Sequence, residues 1–257
     1  MISNEDRERY SRQIIISEIG EEGQMRLSRG KILVVGAGGL GSAVLYYLAA
    51  AGVGTIGVID DQDVELSNLQ RQILHTTPRI GMSKVESASI TLHALNPGIT
   101  INPYHCRLEP SNAEEIVSQY DLVVSALDNE ETRYLVNDTC IKLNKPMVEG
   151  GVQGFHGRLM TIVPGESPCY ACVFPRSRNA GNKQNTVHGF FPMMATSPGV
   201  IGVLQAHEAL KILLKTGTLL VGRILFYDGL TTAFHELEVR RAPDCPCCGK
   251  LLGVKKG

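Results

Sequence analysis

Cys169 and Cys172, and again Cys245 and Cys248, form two C-x-x-C pairs, each short enough for both sulfurs to grip one ion. Thiolates are soft donors, and four of them from two distant loops close a tetrahedral site of the structural kind, with no open position for chemistry. Unliganded thiols and a redox role for one pair are the competing readings. Cys247 adds an ambiguity, since it can replace Cys248 in the shell. The seven cysteines are an odd number, Cys106 and Cys140 stand alone, and the polar start of the chain carries no export signal. Metal is therefore favoured over disulfides.

A second group suits phosphate. Gly36, Gly38, Gly39 and Gly41 satisfy G-x-G-x-x-G. Between a strand and a helix, such glycines let the backbone close on phosphate while the helix N-terminus supplies N–H donors. A packing turn without ligand is the alternative. Asp60 stands where a dinucleotide fold sets an acid against ribose hydroxyls. The segment that follows, with Asp63, Asn68, Arg71 and Gln72, and Lys84 beyond it, brings amide, Arg and Lys in succession. That order suits a triphosphate and not a nicotinamide, although Arg71 or Lys84 taken singly reads as a solvated surface charge. Asp128 and Asn129 follow another buried strand, at the end of the sheet where open α/β folds bind ligands. Asp128 either caps the helix beginning near Glu130 or offers a hard oxygen to Mg²⁺ beside phosphates. The histidines at 75, 93, 105, 156, 188, 207 and 235 show no ligand spacing and read as structural or surface residues.

The elements that must hold these residues follow from periodicity. Residues 5–29 read as a helical lead-in. Lys31–Val35 is a continuous β-branched run, the mark of a strand buried on both faces. A helix over 42–51 and a strand over 54–60 complete the first unit. Helices over Lys84–Leu95 and Glu130–Leu143 alternate with strands over 121–126 and 145–149. After Gly150 the pattern becomes antiparallel, with strands over 157–163, 222–227 and 233–240 and one long helix over 199–215. The fold class expected is α/β: a Rossmann-like, mostly parallel sheet with helices on both faces, continuing into an antiparallel C-terminal part with a structural zinc site. One domain over 1–257 is expected, divided into an arm (1–29), a nucleotide-binding half (30–150) and an antiparallel half (151–257). The stretch 175–198, rich in Pro, Asn, Gly and Ser, is too long for an ordinary connection and reads as a functional loop.

With 257 residues, 20% charged and a formal net charge of −1, the chain is an ordinary globular one. Neutral charge leaves no electrostatic footprint for nucleic acid or an acidic membrane. The longest apolar runs are short or broken, so no transmembrane span is expected, and the protein reads as cytoplasmic.

Together these residues resemble the MoeB/ThiF/HesA family of ubiquitin-activating-enzyme-like adenylyltransferases. The resemblance covers nearly the whole chain: Glu8-Arg9-Tyr10-Ser11-Arg12-Gln13, the GAGGLG turn, LSNLQRQ over 66–72, Lys84, Asp128-Asn129 with Thr132-Arg133-Tyr134, both cysteine pairs, and PGVIGVLQAHEALK over 198–211. It implies that Asp60 binds the ATP ribose while Asn68, Arg71 and Lys84 hold phosphates, with Asp63, Gln72, Asn129 and the glycines completing the nucleotide site. Asp128 would hold Mg²⁺, the four cysteines zinc, and Arg12 would reach the triphosphate of the partner subunit in a homodimer. The reaction implied is attack of a carboxylate, typically the C-terminal glycine of a small ubiquitin-like Gly-Gly-ending sulfur carrier, on the α-phosphorus, giving acyl-adenylate and pyrophosphate. The nucleophile is already an anion at neutral pH and needs no general base. The catalysts required are preorganised cations: Arg71, Lys84, Arg12 and Mg²⁺.

One departure stands out. Many members carry a cysteine in the crossover loop, near the position of His188, whereas 175–198 contains none. A thioester or persulfide from that loop is not expected, and adenylation does not need one. Phe190, Phe191, Met193 and Met194 in the loop suit contact with a carrier, a pocket for a small carboxylate, or packing on the body of the protein. No rhodanese-like domain is expected after Cys248, so sulfur transfer would need another protein. Alternatives are adenylation of a small-molecule or peptide carboxylate, an NAD-dependent oxidoreductase that would leave Arg71, Lys84, Asp128 and the cysteines idle, and a zinc-stabilised scaffold that only senses nucleotide.

Overall fold

The computed structural model describes residues 2–176 and 192–249. Much of the loop at 175–198, including His188, Phe190 and Phe191, lies outside the described residues. The fold is built on one eight-stranded sheet of order β3-β2-β1-β4-β5-β6-β7-β8. Strands β1 (Lys31–Val35), β2 (Thr55–Ile59), β3 (Thr100–Tyr104), β4 (Leu122–Ser125) and β5 (Met147–Gln153) run parallel. Strands β6 (His156–Ile162), β7 (Arg223–Asp228) and β8 (Ala233–Glu238) then continue the sheet antiparallel. The expected architecture, parallel first and antiparallel after, is what the chain adopts.

The helices divide between the two faces. Ile32, Val34, Ile56, Val58, Leu122 and Val124 pack towards α4 (Gly39–Ala51), α5 (Lys84–Leu95) and α9 (Ser197–Leu214). Their neighbours Leu33, Val35 and Val123 pack the other way, against α6 (Ala113–Ser118), α7 (Glu130–Leu143) and α8 (Tyr170–Val173). Alternate side chains of a strand point to opposite faces, so strands apolar at every position need helices on both sides.

Three parts refine or depart from the sequence reading. The lead-in at 5–29 is helical as expected, and the structure divides it into α1 (Asn4–Arg9), α2 (Ser11–Ile14) and α3 (Gly20–Arg29). The first break falls at Tyr10, which is buried and accepts a hydrogen bond at its hydroxyl from Asn96 Nδ2 at 2.8 Å. A tertiary anchor at that position outweighs helix continuity. Strand β3 and helix α6 have no counterpart in the expected elements. β3 contains Pro103, which a central strand rejects but an outermost strand tolerates, and α6, with six residues, is too short to show a helical period. Strand β5 runs four residues past Glu149, because Gly150 to Gln153 pair antiparallel with β6.

Candidate functional site

A cavity of about 800 Å³ opens at the carboxyl ends of β1, β2 and β4. Of the residues expected to bind nucleotide, it is lined by Gly36, Gly38, Gly39, Asp60, Asn68, Arg71, Gln72, Lys84, Asp128 and Asn129. Separated by up to 93 positions, they meet because parallel strands deliver their C-terminal loops to one edge. Gly41, Asp63 and Arg12 are not among the lining residues. Gly41 is buried behind the turn, where a Cβ would stand 2.0 Å from the Gly36 carbonyl oxygen. Asp63 is exposed, its carboxylate 3.9 Å from His105 Nε2. Arg12 is exposed on α2.

The turn is shaped by sterics. Gly36 has φ +102°, and a Cβ there would lie 2.5 Å from the Ala126 carbonyl oxygen at the end of β4. Both the left-handed backbone and the close approach exclude a side chain. Gly38 caps α4 and faces the cavity, where the nearest neighbour to a built Cβ is Gln72 Nε2 at 3.7 Å. Gly36→Ala is expected to destabilise the fold by about 2 kcal/mol or more, from backbone strain added to overlap. A urea unfolding curve matching the wild type would show that the turn can shift without loss.

Charge is distributed unevenly around the cavity. Asp60 accepts from the Ala37 amide at 2.8 Å and from the Gln62 amide at 2.9 Å, which fixes its carboxylate at the rim. Lys84 opens α5 and is 3% exposed, with Nζ donating to Gln62 Oε1 at 2.7 Å. Arg71 donates to the Ser67 carbonyl at 3.1 Å. Among the described residues neither cation has a carboxylate partner. A buried ammonium held only by an amide oxygen is poorly compensated, and a bound anion would supply the missing charge. Asn68 and Gln72 are also buried, and Gln72 Oε1 has no hydrogen-bond partner among the described residues.

Asp128 does not cap α7. That position is taken by Asn129, whose Oδ1 accepts from the Thr132 amide at 2.9 Å. The Asp128 carboxylate is left exposed at the cavity, with Asn129 Nδ2 at 3.5 Å as its sole hydrogen-bonding neighbour among the described residues.

The lining also includes residues that the motifs do not single out. Gln62 is one, holding Lys84. Cys106, Arg107 and Leu108 follow β3 and went unnoticed with it, and Val152 and Gln153 belong to the extension of β5. Arg133, buried, also lines the cavity, and its one signal in the sequence is the Thr-Arg pair after Asp128-Asn129.

His75 is buried under the turn, with Nε2 at 2.9 Å from the Ala37 carbonyl oxygen and Nδ1 at 2.9 Å from Ser87 Oγ. Burial above all lowers its pKa, with the Ala37 carbonyl opposing. The folded state therefore binds fewer protons than the unfolded chain below about pH 6.5, where free histidine titrates. Its stabilising contribution is intact above that pH and is lost as pH falls. The slope of stability against pH between about 5 and 6.5 should flatten in His75→Gln; an unchanged slope would exclude this residue as its source.

On the far side of the sheet, the Sγ atoms of Cys169, Cys172, Cys245 and Cys248 all lie within 4.8 Å of one another. Cys169 to Cys172 is 3.8 Å, Cys169 to Cys245 3.6 Å and Cys172 to Cys248 3.3 Å. Tetrahedral Zn²⁺ with bonds of about 2.3 Å sets its sulfurs about 3.8 Å apart, so the cluster fits that ion. Cys247 lies beside the cluster and accepts from Asn137 Nδ2 at 3.2 Å, while the four mutually close sulfurs are those that include Cys248. Cys140 is fully buried in the core, its thiol pushed up to about 12 by burial.

The chain is 47% identical over 253 residues to the sulfur carrier protein adenylyltransferase of Thermus thermophilus, spanning 96% of this chain and 92% of that one. It is 44% identical over 243 residues to the SAMP-activating enzyme E1 of Haloferax volcanii, spanning 95% and 89%. Among solved structures, E. coli MccB with ATP superposes with a TM-score of 0.82 at 26% identity, over 94% of this chain and 73% of that one. The ThiF family model matches residues 10–247, from Tyr10 at the first helix break to the second cysteine pair. This protein belongs to the ThiF family.

Proposed function

We propose that this protein is an ATP-dependent adenylyltransferase that activates the C-terminal carboxylate of a small ubiquitin-like, Gly-Gly-ending sulfur carrier as an acyl-adenylate, releasing pyrophosphate. The observation that carries the reading is the convergence on one cavity of the Gly-rich turn, Asp60, Asn68, Asp128 and two cations that have no carboxylate partner among the described residues. The names of the relatives at 44% and 47% identity, an E1 and a sulfur carrier protein adenylyltransferase, agree with it.

In this reading Asp60 orients the ribose, and the Gly38-Gly39 backbone with the N-terminus of α4 receives phosphate oxygens. Lys84, Arg71 and Asn68 hold the triphosphate and offset charge as the incoming carboxylate approaches. The orphaned Gln72 oxygen and the buried Lys84 ammonium are groups left waiting for a ligand. Arg12, exposed on α2, completes the site from the second subunit of a homodimer. Asp63 stands further out and contributes at most to the outer rim.

Two metals fit this chain. Asp128 presents a carboxylate uncommitted to any cation or backbone amide among the described residues, beside the phosphate-binding cations. With Asn129 next to it, this is a hard-oxygen position suited to Mg²⁺, which when bound neutralises phosphate charge. The four cysteines hold Zn²⁺ as a structural ion. It ties the loop before α8 to the segment after β8 and takes no part in the reaction. Among the described residues no helix is long and apolar enough to cross a membrane, and we place the protein in the cytoplasm.

The test is ATP–pyrophosphate exchange with Mg²⁺, run with a Gly-Gly-ending carrier from the same genome, the same carrier lacking its last glycine, and a panel of small carboxylates and peptides. Exchange with the intact carrier alone is expected. Exchange with a small acid or peptide alone would replace the carrier as substrate, and ATP binding without exchange under any condition would retire the catalytic reading.

A further inference from the structure

Glu149 is the one charged residue of β5, and it is fully buried. Its carboxylate lies between two guanidinium groups. Arg133 Nη1 donates to Glu149 Oε1 and, at 2.7 Å, to the Gly150 carbonyl. Arg158 Nη2 stands 3.6 Å from the same carboxylate, with its guanidinium stacked on Phe174 at 4.3 Å. The other nitrogen of the Arg133 fork, Nη2, donates to the carbonyl of Leu127, the residue before Asp128. Arg133 is 6% exposed, and burial lowers its pKa to about 10, which still leaves it charged at neutral pH.

A guanidinium is a rigid planar fork, so aiming one edge fixes the other. Glu149 and Gly150 hold one edge of Arg133 on β5, and its second nitrogen is thereby delivered to the β4–α7 turn. The Asp128 side chain has almost no support of its own: Asn129 Nδ2 at 3.5 Å is its one hydrogen-bonding neighbour among the described residues. Its place is set from behind, through Leu127. Without the carboxylate, Arg133 would be a buried cation facing a cavity built for phosphate, and nucleotide would compete for it.

We propose that Glu149 is a positioning residue for the metal-dependent step, acting through Arg133 and the Leu127 carbonyl to hold Asp128 at the cavity. The inference rests on the reading of Asp128 as a Mg²⁺ ligand. A group behind a metal ligand of this kind changes metal affinity by about tenfold or more when lost.

The experiment compares the wild type, Glu149→Gln, Glu149→Asp and Glu208→Gln in two measurements: the Mg²⁺ midpoint of ATP–pyrophosphate exchange, and amide hydrogen exchange at residues 127–129 in nucleotide-free protein. Glu208 is also buried, at 3% exposure, but is bonded to Thr161 and the Leu220 amide away from the cavity. It reports the general consequence of losing a buried carboxylate. Glu149→Gln should raise the Mg²⁺ midpoint about tenfold and speed exchange of the 127–129 amides by at least a similar factor, while Glu149→Asp restores much of both. Glu208→Gln should lower the melting temperature and change neither. If Glu149→Gln does not fold, Arg133→Lys carries the test with the same expectation, since a lysine keeps the charge but cannot span Gly150 and Leu127 together. A folded variant with wild-type midpoint and wild-type amide protection overturns the proposal. Faster amides with an unchanged midpoint would retain the clamp and overturn Asp128 as the ligand; protected amides with a raised midpoint would overturn the clamp.

Discussion

Asp128→Ala is expected to abolish Mg²⁺-dependent ATP–pyrophosphate exchange, a loss of at least about a thousandfold, with the melting temperature essentially unchanged. The two halves of this expectation have separate causes. The reaction brings a carboxylate against a triphosphate, so its barrier is dominated by charge, and if Asp128 holds the divalent cation as proposed, its removal takes away the strongest single compensation. Among the described residues the side chain meets only Asn129 Nδ2, at 3.5 Å. Asn129 carries the cap of α7 and Arg133 carries the turn, while the Asp128 carboxylate is exposed. Surface substitutions without structural partners change stability by about 0.5 kcal/mol or less. Exchange rates and thermal melts on the same preparation decide the matter: full activity removes Asp128 from the reaction, and a large fall in melting temperature would assign it a structural role.

Cys172→Ser should behave in the opposite way. Zinc content is expected to fall well below one per chain and stability by several kcal/mol, because the free energy of a structural metal site is folding free energy. The cost is concentrated locally. Cys169 caps α8, Tyr170 donates its amide to Asn137 Oδ1 at 2.8 Å, and the same asparagine holds Cys247. Releasing the ion therefore loosens α8 and the end of the chain together, against α7. Turnover per folded, nucleotide-bound molecule should change little, since the four clustered cysteines do not line the cavity. Metal analysis with chemical denaturation tests this. A folded variant with full zinc would remove the site, and a lost turnover at unchanged stability would point to chemistry at the cluster.

The readable parts of the sequence were those whose signal is contiguous. The buried strands Lys31–Val35 and Leu122–Ser125, the helices Lys84–Leu95 and Glu130–Leu143 and the Gly-rich turn each state their identity within a dozen or so residues, through β-branched runs, helical period and glycine spacing. The parts that escaped depend on a neighbour far along the chain. β3 forms despite Pro103 because it is outermost, and within the expected helical lead-in the position of the break, at Tyr10, is set by Asn96 donating to its hydroxyl.

The same division runs through the site. Residue types and order alone specified a nucleotide turn, an acid, an amide, two cations, a second acid and two thiol pairs. Whether Asp128 or Asn129 caps α7, and whether Cys247 or Cys248 joins the cluster, was decided only by three-dimensional geometry: Asn129 reaches the Thr132 amide, and the four sulfurs that come within reach of one ion include that of Cys248. So was the role of Glu149, unremarkable as a letter in a strand, which becomes a buried anion between two guanidinium groups once β5, β6 and α7 are packed. The reason is physical. A spacing along the chain encodes which groups local backbone geometry can bring together, whereas burial, charge compensation and hydrogen-bond competition exist only after distant segments have excluded water from one another.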